Sequence, residues 1–252
     1  MKEIMVTVPG YDPRTYPADT PASEILHDID PDSTGNAVAA KLNGHLWDWH
    51  RSVNENGELE SVSADSDEGH SILLHSTAHL MAHAVKHLYP KAKVTIGPTI
   101  ENRFYYDFDV ETPFTDEDLS QIEERMKKLA SDGLAIHRQE LARKDAVSLF
   151  EEMGENYKIE IIEDIADDDS ISAYTQGDFT DLCRGPHIPS TDFIKHFKLL
   201  NTSGAYWRGD ENNKMLQRIY GTAFATKKKL KQYLHFLKEA KKRDHRKLGK
   251  EL

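Results

Sequence analysis

The chain has 252 residues, 38% hydrophobic and 30% charged, with a formal net charge of -11, a balance suited to one large folded domain or two smaller ones. No apolar run approaches the ~20 residues of a membrane-spanning helix, and the opening Met1-Lys-Glu-Ile-Met-Val-Thr-Val8 lacks the apolar core of a signal peptide. The carboxylate excess disfavours non-specific binding to phosphate backbones, and a single cysteine excludes an internal disulfide framework and fits a reducing cytosol.

Ile4, Val6 and Val8 alternate with polar residues ahead of Pro9-Gly10, which predicts a strand entering a hairpin. Residues 22–29 have a short helical pattern. The run 37–42 meets Asn43-Gly44, a pair that favours a tight hairpin turn between apolar segments. One more short strand is expected after Asn56-Gly57. Residues 1–64 are therefore expected to form a small α+β unit with a twisted sheet, followed by the Ser/Asp-rich stretch 63–68. Asp and Ser near Asp65–Gly69 can cap free N–H groups, so a helix is predicted from there to about Tyr89, where Pro90 stops it.

Short strands are predicted through 94–96 and 103–108. Thr115 is placed to cap an amphipathic helix carrying Leu119, Ile122, Met126 and Leu129 on one face and ending at Asp132-Gly133. Residues 144–153 predict a helix and 157–162 a strand. The region 178–220, rich in Gly, Asn and aromatic residues, is expected to be mainly loop. A basic helix from about Thr226 closes the chain. Its charge comes from Lys227-Lys-Lys-Leu-Lys231, Lys241-Lys-Arg243 and Arg246-Lys247, whereas acid gathers at Glu163-Asp164 and Asp167-Asp-Asp169. That asymmetry suits an RNA partner at one end, or equally a solvated amphipathic helix.

Usable chemistry concentrates in two motifs. In His75-Ser-Thr-Ala-His79, a helix turning about 100° per residue sets the two imidazoles some 40° apart on one face, beside an apolar sector of Leu73, Leu80, Ala84 and Leu88. His83 and His87 continue the spacing but drift into that sector, and read as packing or boundary residues. In Cys183-Arg-Gly-Pro-His187, the central residues cannot continue a helix, so both ends lie on a turn, where functional groups are common. Asp181 falls on the same side as Cys183 if the approach is extended. Three His and one Cys suit tetrahedral Zn²⁺ or the walls of an ester-hydrolysing pocket. The plain alternative is a buried free cysteine beside incidental histidines. A zincin-type protease is excluded, because Ser76 stands where that chemistry needs Glu. Acyl transfer through Cys–His would need an activated thiolate. The tripeptide within Trp207-Arg208-Gly209-Asp210 reads as coincidence.

These motifs, with Asp181-Leu-Cys-Arg-Gly-Pro-His187 and the string from Gly204 through Tyr206-Trp-Arg-Gly209 and Gln217-Arg-Ile-Tyr220 to Gly221-Thr222, resemble the N-terminal region of bacterial-type threonyl-tRNA synthetase over essentially the whole chain. The resemblance implies an α+β fold: a TGS-like, ubiquitin-like β-grasp domain at 1–64, a larger editing domain at 65–225, and a basic linker helix at 226–252. It implies proofreading hydrolysis of Ser-tRNA(Thr) in the cytoplasm, because one methyl group supports only roughly 10–200-fold discrimination in a binding pocket. The implied site is His75, His79, Lys158, Asp181, Cys183 and His187, with Gly97 and Tyr106 contacting substrate. His75 and Lys158 would organise water and charge, and Asp181 would anchor the amine. Read without the resemblance, Lys158 is an exposed strand lysine.

No cofactor is expected to be required, although related alanyl-tRNA editing proteins hold zinc with the pattern of His75, His79, Cys183 and His187. The implied partners are the tRNA(Thr) acceptor end carrying serine and the rest of a synthetase, with no membrane. Nothing in the chain resembles the class II motifs that bind ATP, so this chain alone is not expected to charge tRNA and reads as a fragment or a free-standing editing protein. Two other readings stay open: a tRNA-docking module without hydrolysis, and a zinc-dependent editing hydrolase of the alanyl-tRNA type or of another small ester or amide.

Overall fold

Residues 2–166 and 170–248 are described by a computed structural model. The acidic triplet at 167–169 and the end of the basic run at 249–252 lie outside the described residues. At the N-terminus, β1 (Glu3–Thr7) forms a hairpin with β2 (Arg14–Pro17), Ile4 facing Tyr16. After the short β3 (Thr20–Pro21), α1 (Ala22–Ile29) buries Ala22, Ile25, Leu26 and Ile29 against the sheet. A single turn, α2 (Pro31–Thr34), leads into β4 (Ala37–Leu42), and Asn43 and Gly44 at φ 51° and 81° turn the chain into β5 (His45–Trp47). Both residues of that turn are left-handed, as a hairpin of this length favours. The chain continues through β6 (Ser52–Val53), paired with β3, to β7 (Gly57–Ser63). The sheet order is β2-β1-β7-β4-β5, with β1 and β7 parallel in the middle.

Strand β4 is buried on both faces. Ala40 and Leu42 pack with Ile4, Ile25, Leu26 and Leu59 in one cluster. Val38 and Ala39, with Val62 and Ala64, join the larger cluster built around the next helix. That helix, α3 (Asp67–Leu88), begins where predicted, its Ser66 cap accepting from Gly69 N. Around it come β8 (Lys93–Val94), β9 (Thr99–Ile100), β10 (Arg103–Asp109) and α4 (Asp116–Ser131), whose capping box pairs Thr115 with Asp118. The chain then forms β11 (Ile136–Leu141), α5 (Arg143–Glu152), α6 (Asn156–Asp164), β12 (Ile171–Gln176), β13 (Phe179–Leu182), β14 (Phe197–Tyr206), β15 (Met215–Ala223) and α7 (Lys227–Leu248). One sheet runs β14-β15-β10-β8 with β9 on β10, and another runs β11-β12-β13. This is a mixed α+β architecture with α3 buried through most of its length.

Two expectations are corrected. Residues 157–162 lie in α6, not in a strand: Lys158 and Ile162, one turn apart, are the buried pair. Residues 178–220 are not mainly loop, because β14 and β15 form a long antiparallel hairpin from Phe197↔Ala223 to Tyr206↔Met215. No described helix is long and apolar enough to cross a membrane. Trp207 is buried and Arg208 pairs with Asp164, which gives the Arg-Gly-Asp tripeptide a structural occupation.

Candidate functional site

The helix spacing of His75 and His79 and the turn after β13 bring the two motifs into contact. His75 Nε2 lies 2.9 Å from Cys183 Sγ. The His75 and His187 rings stack at 4.6 Å, and His79 meets His187 edge-on at 4.3 Å. Ser76 shares a 2.9 Å hydrogen bond with His187 Nδ1 and accepts from Ile188 N at 3.1 Å. His187 Nε2 is then left buried with no hydrogen-bond partner. Cys183 is held by β12, its N–H donating to Ser172 O and its carbonyl accepting from Ser172 Oγ.

Beside the imidazoles lies a buried charged cluster. Lys158 reaches from α6 to donate to Thr95 O at 2.6 Å and Tyr106 Oη at 2.9 Å, with Asp181 Oδ1 at 2.5 Å. Tyr106 in turn donates to Asp181 Oδ2 at 2.6 Å. His79 Nδ1 is 3.6 Å from the same carboxylate oxygen. Lys158 is therefore neither exposed nor on a strand; it is 2% exposed. Gly97 is needed for close approach, since a Cβ there would fall 2.4 Å from the Tyr106 ring. These groups line a pocket of about 380 Å³ that also takes in Ile96, Pro98, Ile161, Ile165, Ile171 and Arg184. All the site residues expected from the sequence converge on it except His187, which stands behind His75 and His79.

Burial lowers the pKa of His75 from its ordinary 6.5, and of His79 and His187 well below it. The same desolvation pushes the Cys183 thiol up to about 12. At neutral pH the rings are uncharged and the thiol keeps its proton, so S–H donates to His75 Nε2 and no thiolate nucleophile is available. For stability the sign is definite. The unfolded chain takes up protons near pH 6.5 and the folded rings do so only at lower pH, so stability is full above about 6.5 and is lost as pH falls. His70 and His83, also lowered by burial, act in the same direction. The Tm is expected to hold between pH 8 and 7 and to decline from about pH 6.5, with a shallower decline for His79→Asn. A Tm flat down to pH 5 would contradict this account.

No sequence motif marks a site role for Ser76, Thr95 or Ser172, because each acts through hydrogen bonds to another segment. His83 is buried and stacked on Phe179 at 5.4 Å, as its place near the apolar sector predicts. Its Nε2 and that of His87 also lie 2.7 and 2.8 Å from Asp178 Oδ1. Although such a trio could hold a cation, Arg125 donates to His87 Nδ1 at 3.0 Å. A guanidinium can only donate, so the ring proton of His87 sits on Nε2 and points at the carboxylate, and the cluster is hydrogen-bonded. The first set is different. Ligand atoms of His75, His79, Cys183 and His187 all lie within 4.8 Å of one another, and the unpartnered His187 Nε2 fits a tetrahedral ion.

A family model described as the threonyl and alanyl tRNA synthetase second additional domain matches residues 171–220. The chain is 54% identical over all 252 residues to a threonine–tRNA ligase of Citrifermentans bemidjiense, covering 40% of that protein. It is likewise 54% identical to one of Geobacter sp. strain M21, again over the whole chain and 40% of the relative. It is 51% identical over 249 residues to one of Geobacillus sp. strain WCH70, covering 99% of this chain and 39% of the relative. The chain thus spans about 40% of the length of the curated relatives it matches. From end to end it is similar to the N-terminal part of threonine–tRNA ligases, and its Asp181, Cys183 and His187 lie within the segment matched by the second additional domain.

Proposed function

We propose that this chain is an aminoacyl-tRNA deacylase that removes serine from Ser-tRNA(Thr). The observation that carries the reading is the pocket where uncharged His75 adjoins the buried Lys158–Asp181–Tyr106 cluster. An aminoacyl ester is already labile, so hydrolysis needs a placed water, a proton acceptor and charge to meet the developing oxyanion. His75, with its ring neutral, accepts at Nε2 the proton of a water or ribose hydroxyl that replaces the Cys183 S–H as its donor. Lys158 supplies positive charge. Asp181 meets the substrate's ammonium with a carboxylate it already shares with Lys158 and Tyr106. Isoleucines 161, 165 and 171 bound the side-chain end, where serine fits and threonine's extra methyl is rejected.

In this reading residues 1–64 are a TGS-like β-grasp domain, supported by the hairpin–helix–strand order and the parallel β1–β7 pair. Residues 65–225 are the editing domain and 226–252 a basic linker toward the remainder of a cytoplasmic synthetase. The reaction is proposed to require no metal. A zinc ion bound by His75, His79, Cys183 and His187 would supply Lewis-acid polarisation of water or carbonyl. Elemental analysis with a chelator arm tests this: stoichiometric metal whose removal abolishes turnover would overturn the metal-free form.

The deciding assay compares Ser-tRNA(Thr), Thr-tRNA(Thr), Ser-tRNA(Ser) and a simple serine ester. Selective hydrolysis of the first is expected. His75→Ala is expected to slow it by roughly 10²–10⁴-fold, the range for a general acid–base group. Wild-type rates in His75→Ala would sink the assignment, and tRNA binding without turnover would leave a docking module.

A further inference from the structure

The segment from Cys183 to His187 carries the site but belongs to no strand or helix. Its backbone N–H groups must therefore find partners outside a ladder. Gly185 N donates to Cys183 Sγ at 3.2 Å, and the next residue is a proline with no N–H. Ile188 N goes to Ser76, as described. His187 N donates to Asp48 Oδ1 at 3.0 Å, a contact spanning 139 residues.

Asp48 follows β5 in the N-terminal sheet. Its second oxygen, Oδ2, accepts from Tyr174 Oη at 2.9 Å, and Arg138 Nε lies 3.8 Å from it. Tyr174 packs on the His187 ring at 4.5 Å. A Cβ on Gly185 would fall 1.8 Å from the Tyr174 hydroxyl, so the loop seats directly against the residue that Asp48 orients. Burial raises the Asp48 pKa, against the hydrogen bonds from His187 and Tyr174 that lower it; an acceptor kept in so costly a place is held by its donors. Asp48 and His187 also line a second, larger cleft, which shares no lining residue with the pocket of Lys158 and Asp181.

We propose that Asp48 is a positioning residue: the N-terminal sheet clamps the Cys183–His187 loop and so fixes Cys183 at the pocket and His187 against His75 and His79. Its effect on turnover rests on the deacylase reading above, whereas its effect on the loop does not. The chain's only cysteine therefore gives a readout independent of activity.

The full chain and its Asp48→Ala, Asp48→Asn and Tyr174→Phe variants are compared for Cys183 alkylation by iodoacetamide, Tm, and kcat and KM on Ser-tRNA(Thr). Asp48→Ala is expected to speed alkylation by about 10-fold, because local opening further exposes a thiol that is only partly accessible in the folded chain. It is expected to lower kcat by about 10–100-fold, as loss of an orienting partner does, while KM changes little. Asp48→Asn keeps an oxygen for His187 N–H and can donate its amide to the Tyr174 oxygen, so it should stay near wild type in both measures. Tyr174→Phe should fall between. Unchanged alkylation in a folded Asp48→Ala overturns the clamp, as does Asp48→Asn behaving like Asp48→Ala. If Asp48→Ala does not fold, unchanged alkylation in Tyr174→Phe overturns it equally. A wild type that fails to deacylate while the alkylation pattern holds removes the deacylase reading and still supports the clamp.

Discussion

Lys158→Met is expected to destabilise the fold by about 3–5 kcal/mol and to abolish deacylation, the first because it strands a buried carboxylate. Lys158 and Asp181 are 2% and 1% exposed, so water can screen neither charge. The ammonium has three partners, and each loses its donor or counter-charge when methionine replaces it. Methionine fills similar volume, so the cost is electrostatic and not a cavity. Adding Asp181→Asn removes the uncompensated charge. The double variant is therefore expected to regain much of the stability and none of the activity. Urea denaturation of the two single variants and the double variant separates these contributions. A Lys158→Met protein within 1 kcal/mol of wild type would mean that the ion pair does not organise the pocket.

The unequal legibility of the site follows from what each residue's position depends on. His75 and His79 were legible because helix geometry alone puts them on one face, and Cys183 and His187 because Gly-Pro forbids a helix between them. Lys158 was misplaced because six residues, Tyr157-Lys-Ile-Glu-Ile-Ile162, satisfy a two-residue and a 3.6-residue period almost equally. What decides between them is the turn-spaced burial of Lys158 and Ile162, set by Asp181 and Thr95 in other segments. Asp48 had no local signal at all, since the donors to its carboxylate, Tyr174 and His187, are more than a hundred residues away.

The long hairpin of β14 and β15 was hidden by its glycines. Gly221 sits where a Cβ would strike the Phe104 ring at 2.3 Å, and Gly204 where one would meet Met215 Sδ at 2.8 Å. Glycine here marks close packing between strands, not a turn. The N-terminal unit was read more fully, because Asn43-Gly44 and the Ile4, Val6, Val8 alternation are local rules that tertiary contacts did not override.

Gly97→Ala is expected to cost about 1–3 kcal/mol, the usual range for overpacking, and to reduce deacylation by about 10²-fold, as a 1 Å misplacement of reacting groups can. The added methyl falls 2.4 Å from Tyr106 Cδ2, so either the ring or the 95–98 segment must move. The ring cannot retreat easily: it is buried and stacked on Phe108 at 5.1 Å, and its hydroxyl is held by Lys158 and Asp181. The 95–98 segment is also tied down. Thr95 donates to Asp107 O through both its N–H, at 3.2 Å, and its hydroxyl, at 2.9 Å. His75 hydrogen-bonds the Gly97 backbone, so moving this segment turns the ring and disturbs the contact its Nε2 makes with Cys183 Sγ. Whichever side yields, the His75 imidazole and the charged cluster shift relative to each other. Gly35→Ala is the matched control, since a Cβ at Gly35 meets nothing within 4 Å. It is expected to change stability by less than about 0.5 kcal/mol and activity not at all. Equal deacylation rates for Gly97→Ala and Gly35→Ala would show that the Gly97–Tyr106 contact does not set the geometry of the reacting groups.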